Sequence, residues 1–386
     1  MEKERIIECA KCGKPGTEYE FKNIFEDTFL CPECVDFFSQ FQHEYLDPEI
    51  KYPKEIKKEL DKYIVGQDEA KKTLSNALFQ HLVRCRNVKE NFNKSNVLLL
   101  GPSGSGKTLL VETLAKIAGV PVSINSATSL TESGYVGEDV EKVLSRLLIN
   151  AEMDLYRAER GIVYIDEIDK IARKSKENMS ITRDVGGEGV QQSLLKMIDG
   201  AVIDVPMSGA RKHPGEQCIP VKTNNILFIF SGAFEGISDL KPETHENSIG
   251  FEIGKNPETN ALENTTEITT EDLINFGLIK EFVGRIPVVA TVKPLSISAL
   301  KRILTEPENA LIPKYKRLFD KLNINLEFTE KALTEIAEAA YRQGTGARAL
   351  KSIVEKTLED YIFNIRKYSK RKLIIIEAVS KKITAA

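Results

Sequence analysis

A glycine-rich segment that follows an apolar run constrains the fold of this chain more than any other feature. The run Val97 to Leu100 leads directly into Gly101, Pro102, Ser103, Gly104, Ser105, Gly106, Lys107 and Thr108. Glycines at this spacing let the backbone curl so that several N–H groups face one anion. A helix that begins near Lys107 adds the positive end of its dipole. The pattern predicts a strand, a phosphate-binding loop and a helix, and therefore an α/β protein that binds a nucleoside triphosphate.

A second apolar run, over residues 161–165, ends in the two carboxylates Asp166 and Glu167. In a parallel sheet the carboxyl ends of both strands meet at one edge, where ligands bind. We expect Lys107 to reach the β- and γ-phosphates of ATP, and Thr108 and Asp166 to hold Mg2+. Glu167 would polarise the attacking water, a role typically worth about 10²- to 10⁴-fold in rate. These residues predict an ATP hydrolase.

The composition limits the remaining possibilities. With 386 residues and 41% hydrophobic content, the chain can form several domains with their own cores. The net charge is −3, and no long block of one sign occurs, which argues against a mainly electrostatic nucleic-acid binder. The N-terminus lacks a signal h-region, and no apolar stretch approaches about 18 residues. We therefore expect a cytoplasmic protein without a membrane segment.

Four of the six cysteines lie close together near the N-terminus, as Cys9-x2-Cys12 and Cys31-x2-Cys34. This spacing is typical of a structural site in which four thiolates bind Zn2+. Such a site can fold a segment that is too short to form its own core. Iron in a four-cysteine site is the chief chemical alternative, and two disulfides are disfavoured in a reducing compartment.

The hydrophobic pattern divides the chain into four parts. We predict a zinc module over residues 1–46, a linker over 47–58, an α/β domain over 59–294 and a small helical subdomain over 295–386. Strands of a parallel sheet covered by helices on both faces are predicted at 96–100, 121–124, 161–165, 225–230 and 287–292. In the last part, Thr329 could cap a helix that ends at Gly344. The aromatic stripe Phe37, Phe41 and Tyr45 in the zinc module is either core or a partner surface.

The phosphate-binding loop, the acidic pair and the trailing helical part together resemble the AAA+ ATPases. Ile64 and Val65, in the sequence Ile-Val-Gly-Gln, resemble the segment that packs around the base in this family. Arg285, in Glu-Phe-Val-Gly-Arg-Ile-Pro, is similar to the arginine finger, and Arg348 lies where the sensor-2 helix begins. The resemblance implies that Arg285 stabilises charge on the γ-phosphate of a neighbouring subunit and that Arg348 couples the helical lid to the nucleotide.

Further motifs resemble the unfoldase subunits of the Clp proteases, over nearly the whole chain. Four features carry this resemblance. The first is the zinc module that precedes the ATPase domain. The others are Tyr135 and Val136 between glycines, as in a substrate-gripping pore loop; Arg211, Lys212 and His213, as at a pore entrance; and Ile249, Gly250 and Phe251, as in a loop that docks on the ClpP peptidase. The resemblance implies a homohexamer that unfolds protein substrates, threads them into ClpP and works with adaptor proteins. The zinc module would dimerise.

Two other classes of protein remain open at this point. AAA+ rings also act as motors or loaders on nucleic acid, although the acidic net charge and the uncharged aromatic pore loop argue against this. A phosphate-binding regulator that switches without mechanical work is the second alternative. In the strand at 225–230 and the residues after it, the sequence has no unambiguous polar sensor of the nucleotide, and that role stays unassigned.

Overall fold

The computed structural model describes residues 6–17, 21–25, 28–35, 48–86, 94–131, 138–172, 187–206, 218–237, 268–368 and 373–376. The chain divides into two compact units, Met1–Glu49 and Ile50–Ala386. Within the described residues, no helix combines the length and the apolar character needed to cross a bilayer.

The described part of the first unit contains two pairs of short antiparallel strands. These are β1 (Ile6–Glu8) with β2 (Pro15–Thr17), and β3 (Lys22–Phe25) with β4 (Thr28–Leu30). Its buried cluster in the described residues consists of Cys9, Cys31 and Cys34, with Phe21 and Leu30 packed against it. A cluster this small buries little apolar surface, so we expect the four cysteines to contribute most of the stability of this part of the chain.

The second unit is organised around a five-stranded parallel sheet. Its strands lie in the order β13 (Val288–Thr291), β5 (Val97–Leu100), β12 (Leu227–Gly232), β9 (Ile162–Asp166) and β6 (Val122–Ser126), so β5 and β9 flank β12 at the centre. Each boundary of these five strands lies within two residues of the prediction. The strands of this unit are β5 Val97–Leu100, β6 Val122–Ser126, β7 Leu130–Thr131, β8 Glu138–Asp139, β9 Ile162–Asp166, β10 Val202–Pro206, β11 Cys218–Lys222, β12 Leu227–Gly232, β13 Val288–Thr291, β14 Asn325–Phe328 and β15 Leu373–Ile376.

Helices cover both faces of this sheet, as the near-continuous apolar strands require. Alternate residues of β5 and β9 enter different cores: Val97 and Tyr164 pack on one face, and Leu98 and Ile165 on the other. The helices are α1 Pro53–Asp61, α2 Asp68–Arg86, α3 Lys107–Ala118, α4 Lys142–Asn150, α5 Leu155–Ala158, α6 Glu188–Ile198, α7 Thr270–Phe276, α8 Lys280–Gly284, α9 Ile297–Thr305, α10 Leu311–Asp320, α11 Glu330–Arg342, α12 Arg348–Phe363 and α13 Ile365–Tyr368.

The C-terminal part of this unit has its own core, which α9 to α12 surround. The Thr329 side chain caps α11 by accepting a hydrogen bond from the N–H of Ala332, as predicted. Only helices were predicted in this part, but β14 pairs with β15 in a short parallel ladder. The β-branched run in β15 favours a strand, and Leu326 and Ile376 are buried.

Helix α1 begins at Pro53, inside the segment that was expected to be a linker. Proline is favoured in the first helical turn, and the Glu55 side chain accepts a hydrogen bond of 3.1 Å from the N–H of Tyr52. Ile56 and Leu60 are fully buried against the α/β core. This part of the segment is therefore ordered by packing and capping.

Candidate active site

The glycine-rich loop connects β5 to α3 at the carboxyl edge of the sheet. Gly101, Gly104 and Gly106 have φ angles of 154°, 74° and 97°, which residues other than glycine rarely adopt. A Cβ at Gly101 would also collide with the carbonyl oxygen of Val292. Both the backbone angles and the close packing therefore explain the glycines in the motif.

Lys107 lies at the start of α3 and is only 8% exposed. Its Nζ donates hydrogen bonds to the carbonyl oxygens of Gly101, at 2.7 Å, and Pro102, at 3.0 Å. Burial lowers the pKa of Lys107, while the nearby carboxylates of Asp166 and Asp169 oppose that shift. The loop thus surrounds an amine that could bind phosphate oxygens.

The acidic pair lies at the end of β9, at the same edge. Glu167 has a φ of 61°, an uncommon conformation for a residue other than glycine and one that often marks functional sites. Its Oε2 accepts hydrogen bonds from Ser126 Oγ at 2.7 Å and Thr128 Oγ1 at 3.2 Å. Its own N–H donates to Asp166 Oδ1 at 2.9 Å. Both carboxylates are therefore held in fixed positions beside the loop.

A buried chain of hydroxyl groups links the two motifs. Thr108 Oγ1 lies 3.4 Å from Tyr164 Oη, which lies 2.7 Å from Ser231 Oγ, and Ser231 donates a hydrogen bond to Asp166 Oδ1. Burial, followed by the charge of Asp166, raises the pKa of Tyr164, so its phenol stays protonated at neutral pH. The glycine-rich loop and the acidic strand thus form one connected site.

The C-terminal helical part docks on the glycine-rich loop at the start of α12. Arg348 Nη1 donates a hydrogen bond of 3.1 Å to Ser103 Oγ, and the N–H of Ala347 donates one of 3.0 Å to the Gly104 carbonyl oxygen. A Cβ at Gly346 would lie 2.6 Å from that same oxygen. Arg348 therefore contacts the glycine-rich loop, and its coupling of the helical part to the nucleotide stays a prediction.

Ile64 and Val65 lie between α1 and α2, and each is 7% exposed. The buried Lys71 donates a hydrogen bond of 2.5 Å to the carbonyl oxygen of Ile64. The Gln67 side chain bonds to both the N–H and the carbonyl oxygen of Lys293, at 2.8 Å each. Lys293 immediately precedes the C-terminal helical part, so this segment contacts the connection between the two parts of the unit.

Arg285 lies away from the loop. It precedes β13, at the amino ends of the strands, whereas the loop lies at their carboxyl ends. Its carbonyl oxygen accepts a hydrogen bond of 2.9 Å from Asn96, which precedes β5. Its Nε lies 2.7 Å from Asp199 Oδ1, and its side chain is 60% exposed. Within one chain, the structure therefore does not bring Arg285 to Lys107.

The four N-terminal cysteines form a separate cluster in the first unit. Their Sγ atoms lie within 4.8 Å of one another, and Cys12 and Cys31 are 3.7 Å apart. Tetrahedral Zn2+ with bonds of about 2.3 Å would place sulfurs about 3.8 Å apart, so the donor set fits this ion. The cysteines are not joined in disulfides.

The local environment of Cys9 favours a thiolate. Burial alone would raise the pKa of Cys9, but the backbone N–H groups of Cys12, Cys31 and Lys11 outweigh it and lower that pKa to about 6. The pKa of Cys34 is raised instead, by burial and by the neighbouring sulfurs. A bound cation would relieve the crowding of negative sulfurs.

Several predicted site residues lie outside the described residues. These are Tyr135, Val136, Arg211, Lys212, His213, Ile249, Gly250 and Phe251, as well as the aromatic stripe Phe37, Phe41 and Tyr45.

Comparison with known proteins agrees with this architecture. Residues 93–289 match the family model of the AAA domain (Cdc48 subfamily), and residues 295–370 match that of the C-terminal, D2-small domain of ClpB protein. The fold and the site therefore define an AAA+ ATPase with a four-cysteine zinc-binding module. The chain is 45% identical over 383 residues to the ATP-dependent Clp protease ATP-binding subunit ClpX of Treponema denticola. The matched region covers 95% of this chain and 92% of that protein. It belongs to the ClpX family.

Ser126, Thr128, Tyr164 and Ser231 were not predicted as site residues from the sequence. Ser126 and Ser231 end or nearly end parallel strands, which is a position that could have marked them. Tyr164 was hidden within an apolar run, and Asp199, the partner of Arg285, had no motif around it.

Proposed function

We propose that this chain is an ATP-dependent protein unfoldase and translocase that threads protein substrates into the ClpP peptidase. The observation that carries the proposal is the docking of the C-terminal helical part, called the lid below, on the glycine-rich loop. Arg348 bonds to Ser103, and Ala347 bonds to Gly104. A nucleotide bound by that loop would change the contacts of both parts at once. Hydrolysis could therefore drive movement of the lid relative to the sheet.

The residues of one chain supply most of the hydrolytic chemistry. Lys107 would bind the β- and γ-phosphates, and the hydroxyl and carboxylate oxygens of Thr108 and Asp166 suit Mg2+, which prefers oxygen ligands. Mg2+ would neutralise charge on the phosphates. Glu167, held by Ser126 and Thr128, would accept a proton from the attacking water. Ile64 and Val65 would contact the adenine base.

Arg285 completes the site only in an assembly. Because it lies at the edge of the sheet opposite Lys107, its guanidinium would reach the γ-phosphate bound by a neighbouring subunit. A closed ring lets each subunit supply this group to the next, since head-to-tail interfaces of one kind generate rings. We propose a homohexamer, on the basis of family membership.

The remaining roles rest on the resemblance to the Clp unfoldases. Tyr135 and Val136 would grip the polypeptide, and Arg211, Lys212 and His213 would attract acidic or carboxylate groups at the pore entrance. Ile249, Gly250 and Phe251 would dock on ClpP. The N-terminal module would bind Zn2+, dimerise and recruit adaptors. Its free thiols suit a reducing compartment, in agreement with a cytoplasmic protein.

The test is degradation of a stably folded protein with a C-terminal recognition tag. The full chain is incubated with ATP and Mg2+, with ClpP present or omitted, and loss of the folded substrate is followed by fluorescence. We expect degradation only when this chain, ATP and ClpP are all present. Glu167→Gln should bind nucleotide but should neither unfold nor degrade the substrate, because an amide cannot accept the proton.

Two results would contradict the proposal. Unfolding by Glu167→Gln at the rate of the unsubstituted chain would separate the mechanical work from hydrolysis. ATPase activity that is stimulated by DNA and falls steeply with salt, with no effect on the tagged protein, would favour a motor on nucleic acid instead.

A further inference from the structure

The buried hydroxyl chain between Thr108 and Asp166 has a defined geometry. Tyr164 and Asp166 lie two residues apart on β9, so both side chains leave the same face of that strand. Ser231 lies on the neighbouring strand β12, next to both of them. Tyr164 and Ser231 are 0% exposed, so bulk water does not compete for their hydrogen bonds.

The direction of each hydrogen bond follows from counting protons. An ionised carboxylate only accepts, so the single proton of Ser231 goes to Asp166. Tyr164 must then donate its own proton to Ser231 Oγ, at 2.7 Å. The phenol oxygen of Tyr164 is left as an acceptor, so the proton of Thr108 points to it across 3.4 Å. The lone pairs of Thr108 Oγ1 therefore face away from Tyr164.

This arrangement matters because a hydroxyl group binds a cation through an oxygen lone pair, with its proton directed elsewhere. A threonine that is free to rotate can present its proton to the cation instead. The hydrogen bond to Tyr164 favours the productive orientation. At the other end, the bond from Ser231 occupies Oδ1 of Asp166 and fixes the orientation of that carboxylate.

We propose that Tyr164 and Ser231 are positioning residues, which orient Thr108 and Asp166 as ligands of Mg2+ through one directional chain of hydrogen bonds. The inference rests on the proposed function, in which these two residues hold Mg2+ beside the nucleotide. It assigns no contact with the nucleotide to Tyr164 or Ser231. Their removal should therefore weaken the contribution of Mg2+ while the phosphate-binding loop continues to bind nucleotide.

The experiment measures the affinity of the full chain for a fluorescent ADP analogue, once in EDTA and once in excess Mg2+. The ratio of the two affinities is the Mg2+ enhancement. We expect Tyr164→Phe and Ser231→Ala to bind the analogue in EDTA with an affinity within about twofold of that of the unsubstituted chain. Their Mg2+ enhancement should be about three- to tenfold smaller, which corresponds to the loss of one hydrogen bond. The double variant should lose little more than either single one, because both substitutions break the same chain.

Tyr315→Phe is the matched control, because it removes a phenol that hydrogen-bonds to Glu355 Oε1 at 3.3 Å and packs against the C-terminal core, outside the hydroxyl chain. It should leave the enhancement unchanged. Full Mg2+ enhancement in Tyr164→Phe, or additive losses in the double variant, would overturn the inference. An equal loss of affinity in EDTA and in Mg2+ would also overturn it, since that pattern indicates a merely structural role. Absence of any Mg2+ enhancement in the unsubstituted chain would instead overturn the proposed Mg2+ site itself.

Discussion

At Lys107, burial opposes the positive charge that the proposed binding of phosphate needs. Burial lowers its pKa, so the folded protein holds the proton of Lys107 less tightly than the unfolded chain does. Where the unfolded chain binds more protons, stability rises with pH, so the charged form of Lys107 makes folding less favourable at neutral pH. Its two bonds to carbonyl oxygens of the loop offset part of that effect.

We predict that Lys107→Met separates these two roles. Methionine has a similar length and no charge, so the thermal unfolding temperature without nucleotide should stay the same or rise. Nucleotide affinity should fall by about 100-fold, as for the loss of one or two charged hydrogen bonds. Thermal scans and titration with a fluorescent nucleotide measure the two quantities. Lys116→Met, on the exposed side of the same helix, should leave the affinity unchanged. A Lys107→Met protein that unfolds several degrees lower would contradict this account.

At the level of elements, the central strands could be predicted from the sequence because each is a short apolar run in a sheet covered on both faces. The glycine-rich loop and the acidic pair were equally visible, since their residues are close in sequence. The partners of those residues were not. Ser231 meets Asp166 across 65 positions and Arg348 meets Ser103 across 245, and such pairings depend on strand order and docking, which no local pattern encodes. Strand β15 was missed because its partner β14 is also distant.

The contact between the start of α12 and the glycine-rich loop gives a prediction at this level. Gly344 and Gly346 both have left-handed backbones, with φ angles of 67° and 59°. A Cβ at Gly346 would meet the Gly104 carbonyl oxygen, whereas a Cβ at Gly344 meets nothing within 4 Å. Gly346→Ala should displace the C-terminal helical part from the loop and lower nucleotide affinity by up to about 30-fold, as for the loss of two hydrogen bonds of about 1 kcal/mol each.

Gly344→Ala is the matched control for the backbone strain alone. It should lower the free energy of unfolding by about 1 kcal/mol and leave the nucleotide affinity unchanged. Titration with a fluorescent nucleotide and denaturant unfolding of both variants make the comparison. Equal affinities in the two variants would show that the lid contact does not contribute to nucleotide binding.

At the scale of the whole molecule, the two ends of β5 separate Lys107 from Arg285, the residue that we propose as an arginine finger. The loop with Lys107 follows the carboxyl end of β5, and Arg285 bonds to Asn96 just before its amino end. Four strand residues span about 13 Å, and the Arg285 side chain is paired with Asp199. In the proposed function, a single chain therefore lacks the arginine at its own site and supplies one to the site of a neighbour.

Mixed rings test whether each site is shared between two subunits. Arg285→Ala and Glu167→Gln should each abolish most ATPase activity in uniform rings. When the two variants are co-expressed, an Arg285→Ala subunit keeps Glu167 and can receive Arg285 from a Glu167→Gln neighbour, so about a quarter of the sites in random rings become complete. We therefore expect ATPase activity well above that of either variant alone. Rings of Arg285→Ala with the Arg285→Ala/Glu167→Gln double variant should stay inactive, because neither subunit supplies the arginine. If the first mixture is no more active than the average of its parts, Arg285 acts within its own chain or outside catalysis.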